Sequence, residues 1–340
     1  MDSSVRFCSV CGTNSGVYFD EVSGLKYCSS CFVSYVYKKV VRTVRYYRMF
    51  ERGDRVVLAV SGGKDSVVLA DIMGRLGRRL RWVEFVGVTV DEGIRTPAGD
   101  YRAEALSLAR SVLEKYSIPH RVYTYKELFG ATLPEFMRAG VYAGSACSVC
   151  GVLRRRALNI AARELGATKI ATGHNKDDEA QTVLMNVLRG DLERMIRAGA
   201  AEGIGGNLSR EKEAENGVGV GGFIPRVKPL KRLYEREIAM YAYLRGYGFQ
   251  SVECPFPRDT VRDAVREALD ILSTRISGVH DALLNFEDKL LERLGSSTAH
   301  VRACRNCGEP TSPGRELCKA CEYVLRYAEK SGGGVSVGAP

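Results

Sequence analysis

The sequence predicts an α/β protein with a central parallel sheet and a small cysteine-rich module near each end of the chain. Apolar segments typical of strands alternate with amphipathic segments typical of helices, which favours a parallel sheet covered on both faces. The first of these strands leads into a glycine loop at 61–66, and cysteine pairs stand near both termini. Together these observations predict a Rossmann-like sheet flanked by two metal-binding modules.

Strands are predicted where short apolar runs stand between turn residues, at 55–60, 83–90, 120–125 and 169–172. The run at 55–60, RVVLAV, shows no polar alternation and therefore indicates a strand that is buried on both faces. Helices are predicted at 35–52, 67–76, 101–116, 154–165, 178–187, 231–244 and 261–294. Residues 199–223 are too rich in glycine and charge for a core, and we expect a surface loop there.

The composition indicates a globular protein with a polyanionic partner. Its 340 residues are 45% hydrophobic, which is enough for one large core with small attachments. The formal charge is +10, and two zinc ions on four thiolates each would leave about +6, so a basic excess remains. A cysteine pair stands where a secretory signal would, and no apolar run of about 18 residues occurs. We expect a soluble cytoplasmic protein without a membrane span.

Ten of the eleven cysteines form five C-x-x-C pairs, which favours metal binding over disulfides in a long chain without an export signal. The N-terminal spacing is C-x2-C-x16-C-x2-C and the C-terminal spacing is C-x2-C-x10-C-x2-C. Both spacings are typical of structural zinc sites. The predicted zinc ligands are Cys8, Cys11, Cys28, Cys31, Cys304, Cys307, Cys318 and Cys321.

The stretch LAVSGGKDS at 58–66 predicts a cradle for pyrophosphate. Gly62 and Gly63 let backbone N–H groups approach phosphate oxygens, the next helix directs its positive end at them, and Lys64 adds a cation. The spacing matches neither G-x-x-x-x-G-K-[ST] nor the dinucleotide pattern G-x-G-x-x-G. The alternative is a tight strand-to-helix turn without a ligand.

This loop matches the S-G-G-x-D-S signature of the PP-loop ATP pyrophosphatases, and much of the chain resembles the TtcA/TtuA-type tRNA 2-thiolation enzymes. The matching stretches are VDEGI at 90–94, YKELFG at 125–130, CSVCGVLRRRALN at 147–159, TGHNKDDEAQTVLMNVLRGD at 172–191 and IPRVKPL at 224–230. With both cysteine modules, the resemblance covers most of residues 5–325. It implies an enzyme that adenylates an oxygen of a tRNA base, releases pyrophosphate and replaces that oxygen with sulfur.

The resemblance implies an ATP site at the carboxyl ends of neighbouring strands, where open parallel sheets bind ligands. Its implied residues are Ala59, Ser61, Gly62, Gly63, Lys64, Asp65, Ser66, Thr89, Gly173 and, for the phosphates, Arg154. Mg²⁺ would offset the phosphate charge. Arg154 stands where some relatives carry lysine. Asp178 aligns with a catalytic residue of the family and would act as an acid, a base or a Mg²⁺-orienting group, the alternative being a helix cap.

Cys147, Cys150 and Cys254 remain once the terminal cysteines are grouped, and three thiolates cannot close a tetrahedral zinc site unaided. They suit a [4Fe–4S] cluster with one iron left open, which the resemblance implies, or a persulfide that is resolved through a disulfide. A buried, redox-silent set is the third alternative. We expect the cluster, and catalytic roles for all three cysteines.

Basic segments at 38–55 and 154–156, with Arg226, Lys228, Lys231 and Arg232, favour tRNA as the partner. The resemblance further implies a sulfur donor, either a ubiquitin-like carrier protein with a C-terminal thiocarboxylate or a desulfurase persulfide, and a homodimer. The expected product is 2-thiouridine, at wobble position 34 rather than position 54. Two other functions stay open: a PP-loop ligase that adds an amine to tRNA, and a zinc-stabilised RNA-binding protein without catalysis.

Six segments follow from these patterns. We expect an N-terminal zinc module at 1–33, a basic linker helix at 34–52 and the ATP-binding catalytic domain at 53–255. A helical extension at 256–297, a C-terminal zinc module at 298–325 and a disordered tail at 326–340 complete the chain.

Overall fold

The computed structural model describes residues 7–12, 15–96, 101–192, 194–196, 224–250, 254–256, 261–294, 302–311 and 314–332. The predicted surface loop at 199–223 lies outside the described residues, as does the end of the chain after Gly332.

A five-stranded parallel sheet forms the centre of the molecule, with the strand order β5-β4-β3-β6-β7. The strands, with two small antiparallel pairs, are Tyr18–Phe19 (β1), Lys26–Tyr27 (β2), Arg55–Ala59 (β3), Glu84–Asp91 (β4), His120–Thr124 (β5), Lys169–Ala171 (β6), Arg226–Val227 (β7), Arg302–Ala303 (β8) and Pro310–Thr311 (β9). The four predicted strands are confirmed close to their expected bounds. The order changes direction beside β3, the place where open α/β sheets bind ligands.

Helices cover both faces of this sheet, as the alternating sequence pattern predicts. They are Ser29–Tyr46 (α1), Lys64–Gly77 (α2), Tyr101–Glu114 (α3), Tyr125–Phe129 (α4), Leu133–Arg138 (α5), Ala146–Glu164 (α6), Lys176–Leu188 (α7), Glu235–Leu244 (α8), Val261–Ser273 (α9), Val279–Leu294 (α10) and Lys319–Ser331 (α11). None of the helices in the described ranges is long and apolar enough to cross a membrane.

Several helix starts differ from the prediction because capping residues set them. α6 was expected from 154 but begins at Ala146, where the Ser145 hydroxyl accepts a hydrogen bond from Ser148 N at 3.3 Å. The cysteine pair at 147 and 150 therefore lies inside the helix. The predicted helix at 261–294 is two helices, and Gly278 with a φ of +72° stands at the junction before α10.

The buried residues of β3 alternate between two apolar clusters, one on each face of the sheet. Val56 and Leu58 pack with residues of α1, α2 and α8, whereas Val57 packs with α4, α5 and α6. All three side chains are fully buried, and each burial contributes about 1.5–3 kcal/mol. Since Val36 and Val40 of α1 share the first cluster, the helix expected as a linker belongs to the core.

The C-terminal module is attached to α6 through a buried carboxylate and a helix. Glu309 accepts hydrogen bonds from Arg156 at 2.7 Å and Asn159 at 2.5 Å, and it also pairs with Arg163. These bonds hold the module against the helix that carries Cys147 and Cys150.

The expected disordered tail at 326–340 is wrong for its first residues, because α11 continues to Ser331. The Tyr327 ring packs 5.0 Å from that of Phe136, centroid to centroid, and Lys330 Nζ donates to the carbonyl of Gly140 at 2.8 Å. Each contact joins segments far apart in the chain, so no local pattern predicts it. Residues 333–340 are outside the described part.

Candidate functional site

The glycine loop joins the end of β3 to the start of α2, at the carboxyl edge of the sheet. Gly62 has a φ of +86°, and a Cβ there would overlap the backbone carbonyl of Ala105. Only glycine fits both conditions. Gly63 differs, because its φ is −74° and the nearest atom to an added Cβ is Ser61 Oγ at 3.7 Å. Gly62 therefore determines the path of the loop, while Gly63 leaves its surface open to a ligand.

Ser66 fastens the loop to the first turn of α2. Its hydroxyl donates to Gly63 O at 2.8 Å and accepts from Ser61 N at 3.1 Å. The turn that opens α2 carries backbone N–H groups without helical partners, and the helix dipole adds positive potential. The loop has the properties of an anion site for phosphate.

Lys64 stands at the start of α2 between two carboxylates. Its Nζ lies 2.6 Å from Glu235 Oε1 and 3.1 Å from Asp65 Oδ2. Burial alone would lower the pKa of Lys64, but these carboxylates raise it above its usual value, so the ammonium stays charged. Glu235, the first residue of α8, was not predicted as a site residue. It competes with any phosphate that Lys64 would bind.

Gly173 and Thr89 lie at the same edge of the sheet, as expected, but with different surroundings. A Cβ at Gly173 would come within 3.1 Å of the backbone of Asp65, so this glycine permits close packing on the loop. The buried Thr89 hydroxyl donates to Val60 O at 2.6 Å and contacts His120 Nε2 at 2.8 Å. That hydroxyl is already satisfied within the protein. A nucleotide contact by Thr89 stays a prediction.

Asp178 forms a reciprocal cap at the start of α7. Asn175 N donates to Asp178 Oδ2 at 3.2 Å, and Asp178 N donates to Asn175 Oδ1 at 3.0 Å. The capping alternative is therefore observed, and a catalytic role for the same carboxylate stays a prediction. Asn175 also donates through Nδ2 to Asp65 at 3.1 Å, which links this cap to the glycine loop.

Beside the loop, a cavity of about 670 Å³ contains Lys64, Asp177, Glu235 and His280 among its lining residues. Asp177 Oδ2 accepts from Glu235 N at 2.7 Å, and Asp177 Oδ1 lies 3.6 Å from His280 Nε2. Burial raises the pKa of Asp177 and lowers that of His280. Both carboxylates are engaged, Glu235 with Lys64 and Asp177 with His280, and within the described residues only the two cysteine sets bring three or more ligand atoms within 4.8 Å of one another. Mg²⁺ binding on this side of the glycine loop stays a prediction.

Cys147 is exposed and Cys150 is buried, one turn apart at the start of α6. Cys254 packs against the same apolar cluster that contains Cys150. Within the described ranges, only the two terminal sets of cysteines bring their sulfur atoms within 4.8 Å of one another, so these three do not form a mononuclear site. In a cluster each thiolate binds a different iron, so the sulfurs lie farther apart than those that share one ion. The donor set therefore fits a cluster.

Arg154 connects Cys150 to a carboxylate that sequence reasoning missed. Its NH2 donates to Cys150 Sγ at 3.3 Å, and its Nε donates to Glu92 Oε1 at 2.9 Å. Burial would raise the pKa of the fully buried Glu92, but Arg154 and Arg102 hold it below its usual value. Burial raises the pKa of Cys150, although Arg154 opposes that rise.

Arg102 completes a path from the cysteine to the nucleotide loop. Its Nε donates to Glu92 Oε2 at 2.6 Å, and its NH1 donates to Ser61 O at 3.3 Å. Glu92 stands in the VDEGI stretch directly after β4, so an acidic residue at a strand end was the available signal. Arg102 lies on α3 and carried no comparable signal.

Both terminal cysteine sets have the geometry of closed metal sites. The sulfurs of Cys11 and Cys28 are 3.8 Å apart, and those of Cys307 and Cys318 are 3.7 Å apart. Thiolates about 2.3 Å from a tetrahedral ion lie about 3.8 Å from each other. The two sets therefore fit one metal ion each.

The chain is similar to a known protein family and to several named proteins. The family described as PP-loop domain matches residues 36–270. The cytoplasmic tRNA 2-thiolation protein 1 of Malassezia globosa is 38% identical, covering 93% of this chain and 86% of that protein. The protein of the same name from Danio rerio is 35% identical, covering 92% and 86%. A solved U34-tRNA thiolase, NcsA from Methanococcus maripaludis with its [4Fe-4S] cluster, superimposes with a TM-score of 0.74 at 28% identity, covering 94% of this chain and 95% of that one.

Proposed function

This chain belongs to the PP-loop family, in the group of the cytoplasmic tRNA 2-thiolation proteins, and from that membership we propose that it uses ATP to replace the C2 oxygen of a tRNA uridine with sulfur. One observation carries the proposal: Arg102, Glu92 and Arg154 join the glycine loop to Cys150 by direct hydrogen bonds. The two chemical steps, activation by a nucleotide and delivery of sulfur, therefore have adjoining sites.

Activation takes place at the glycine loop. The N-terminus of α2 and Lys64 bind the phosphates of ATP, and Lys64 must exchange its contact with Glu235 for a phosphate oxygen. The C2 oxygen of the uracil forms a bond to the α-phosphorus, the bond to the bridging oxygen breaks, and pyrophosphate leaves. Mg²⁺ bound with the phosphates of ATP would offset their charge. The target base must be unpaired or flipped to expose C2.

Sulfur delivery takes place at the start of α6. Sulfide sulfur adds to C2 of the adenylated base, and the bond from C2 to its former oxygen then breaks, so that AMP leaves with that oxygen. Arg154 stabilises negative charge on the Cys150 sulfur and on the departing phosphate. A [4Fe–4S] cluster on Cys147, Cys150 and Cys254 would supply an open iron that binds sulfide, and the Methanococcus maripaludis thiolase, solved with its [4Fe-4S] cluster, supports this. A persulfide on the same cysteines is the second candidate.

The ligands, partners and location follow from the same proposal. Zn²⁺ would occupy both terminal sites, because closed four-thiolate sites favour it. The substrate is tRNA, and the U34 in the name of the solved thiolase supports the wobble position over position 54. The names of the relatives support a cytoplasmic location. A ubiquitin-like thiocarboxylate carrier as sulfur donor and a homodimer remain part of the proposal.

The test is an anaerobic assay with ATP, tRNA transcripts and sulfide. Pyrophosphate and 2-thiouridine are measured separately. Nuclease digestion and mass spectrometry then map the modified position. We expect Cys150→Ala to lose 2-thiouridine but still to release pyrophosphate, since it leaves the nucleotide loop intact. Ser148→Ala, at an exposed position in the first turn of α6, is the control and should keep both products.

Two results would contradict the proposal. A wild-type chain that releases pyrophosphate with tRNA but forms no 2-thiouridine would favour an amine-adding ligase, which needs none of the three cysteines. A wild-type chain that binds tRNA but releases no pyrophosphate would favour a non-catalytic RNA-binding protein.

A further inference from the structure

Helix α6 presents a second group of polar side chains beside the face that carries Cys150 and Arg154. Cys150 and Arg154 lie one turn apart on the face described above. Arg155 and Asn159 follow the same spacing one step round the helix, and they line a cleft of about 330 Å³. The opposite wall belongs to the C-terminal module and includes Lys319. This cleft is separate from the cavity beside the glycine loop.

The cleft holds more positive charge than its acids compensate. The acidic residue among its described lining, Glu309, is already shared by Arg156, Asn159 and Arg163. Arg315, at the same wall, pairs with Glu322 at 2.5 Å outside the lining. The cations of the cleft without an ion pair in the described part of the chain are Arg155, Arg226 and Lys319.

Arg226 carries a buried donor that no described residue satisfies. Its NH2 donates to Asn159 Oδ1 at 2.6 Å and to Arg155 O at 3.1 Å, but its Nε is buried without a hydrogen-bond partner in the described residues. Burial lowers its pKa to about 10, and the neighbouring charge of Arg155 adds to this effect. An orphaned buried donor on a cation costs free energy that an anion would restore.

Arg155 stands at the exposed rim of the cleft among like charges. Partial desolvation lowers its pKa, and the guanidiniums of Arg154, Arg194 and Arg262 lower it further. Among the described residues, the Arg155 guanidinium donates no hydrogen bond. Like charges held together in this way are typical of surfaces that bind a chain of phosphates, since each phosphate offsets one or more of them.

We propose that the cleft between α6 and the C-terminal module binds a backbone phosphate of the tRNA, with Arg155 and Lys319 supplying charge and Arg226 a directed hydrogen bond. A polymer phosphate fits better than a free anion, because two guanidiniums outside the cleft lining, that of Arg262 and that of Arg194, which pairs with Asp191, still act on Arg155. Arg155 is five residues beyond Cys150, about 7.5 Å along the helix axis. A strand held here passes close to the cysteine face. The inference rests on the proposed tRNA substrate.

The experiment measures tRNA affinity of the full chain without ATP at a series of KCl concentrations. We expect Arg155→Gln to weaken binding and to reduce the slope of log affinity against log salt by about 1, whereas Arg155→Gln with Lys319→Gln reduces it by about 2. Arg155→Lys should restore the wild-type slope because it restores the charge. Arg81→Gln is the matched control, on an exposed turn before β4 at the opposite edge of the sheet, and should leave the slope unchanged.

A second arm titrates inorganic phosphate into the same proteins by calorimetry. An unchanged tRNA slope in Arg155→Gln overturns the proposal, and loss of inorganic phosphate binding in that variant would then assign the cleft to a free anion. The formation of 2-thiouridine reports on the proposed function independently. If the chain makes no 2-thiouridine but its salt slope still depends on Arg155, the phosphate site stands and the thiolation proposal fails.

Discussion

Glu92 and Arg154 form an ion pair at the base of the site, with 2.9 Å between Glu92 Oε1 and Arg154 Nε. Because the same guanidinium contacts Cys150 Sγ, and because Glu92 also binds Arg102, one buried carboxylate orients both cations. The glycine loop is therefore linked to the cysteine through three side chains. The pair explains how a strand-end acid supports sulfur chemistry without touching sulfur.

Replacing Glu92 with glutamine should destabilise the fold by about 3 kcal/mol, since two guanidiniums lose their buried counter-charge. Glu84→Gln is the control, because its pair with Arg55 is exposed and should contribute less than about 1 kcal/mol. The folded-state pKa of Glu92 lies below its usual value of 4.5, so its contribution is complete above that pH and is lost as the pH falls through the folded pKa. Urea unfolding at pH 7 and in acid measures both effects. Equal stability of the two variants at pH 7 contradicts this account.

Gly62→Ala should cost about 1–3 kcal/mol of stability and abolish ATP binding, because both its positive φ and the Ala105 carbonyl oppose a side chain. Gly63→Ala should keep the wild-type stability, since its backbone angles suit any residue and its surroundings leave room. Thermal unfolding with and without ATP compares the pair. Loss of ATP binding in a stable Gly63→Ala variant would place phosphate against that backbone. Matched losses of stability in both variants are inconsistent with the loop described above.

Glu235→Gln should strengthen ATP binding severalfold, because Lys64 no longer has to leave a carboxylate when phosphate arrives. Lys64→Gln should weaken it. Equilibrium binding of a fluorescent ATP analogue at constant ionic strength measures both, with Glu329→Gln on α11 as a distant control. Weaker ATP binding by Glu235→Gln would mean that the carboxylate serves the nucleotide, for example through Mg²⁺.

Asp178→Asn separates the two roles assigned to this residue. The amide oxygen can still accept from Asn175 N, so stability should change by less than about 0.5 kcal/mol. If the carboxylate charge serves catalysis, pyrophosphate release should fall by a factor of about 100 or more. Asp178→Ala also removes the cap, so its free energy of unfolding should fall by about 1 kcal/mol. Full activity of Asp178→Asn would leave capping as its role.

Metal content should distinguish the three cysteine sites. Anaerobically purified protein should hold about two zinc and about four iron per chain, and Cys254→Ala should lose iron but keep zinc. Cys28→Ala should lose about one zinc and keep iron, because it disrupts only the N-terminal set. Elemental analysis with acid-labile sulfide measures this. Zinc without iron under strict anaerobic handling rules out the cluster and favours the persulfide.

Part of this protein could be predicted from its sequence, because the evidence is local. The apolar run at 55–60 makes a buried strand, and the glycine loop needs neighbouring residues in one order. The terminal cysteines show metal-ligand spacing, so both closed sites could be predicted. Helix starts at α1 and α6 were less predictable, since packing and capping rather than periodicity set them.

Only the tertiary structure brought together residues that are distant in the chain. Lys64 meets Glu235, and Arg154 meets Glu92, across separations of 171 and 62 residues. Arg155 and Lys319 line one cleft only because Glu309 and α11 attach the C-terminal module to α6. Charge pairs of this kind leave no periodic trace in a sequence, because their energy depends on burial and on distance. The sequence by itself determined the glycine loop and the cysteine sets, because their residues are neighbours in the chain. The tertiary structure decided which charged side chains face one another.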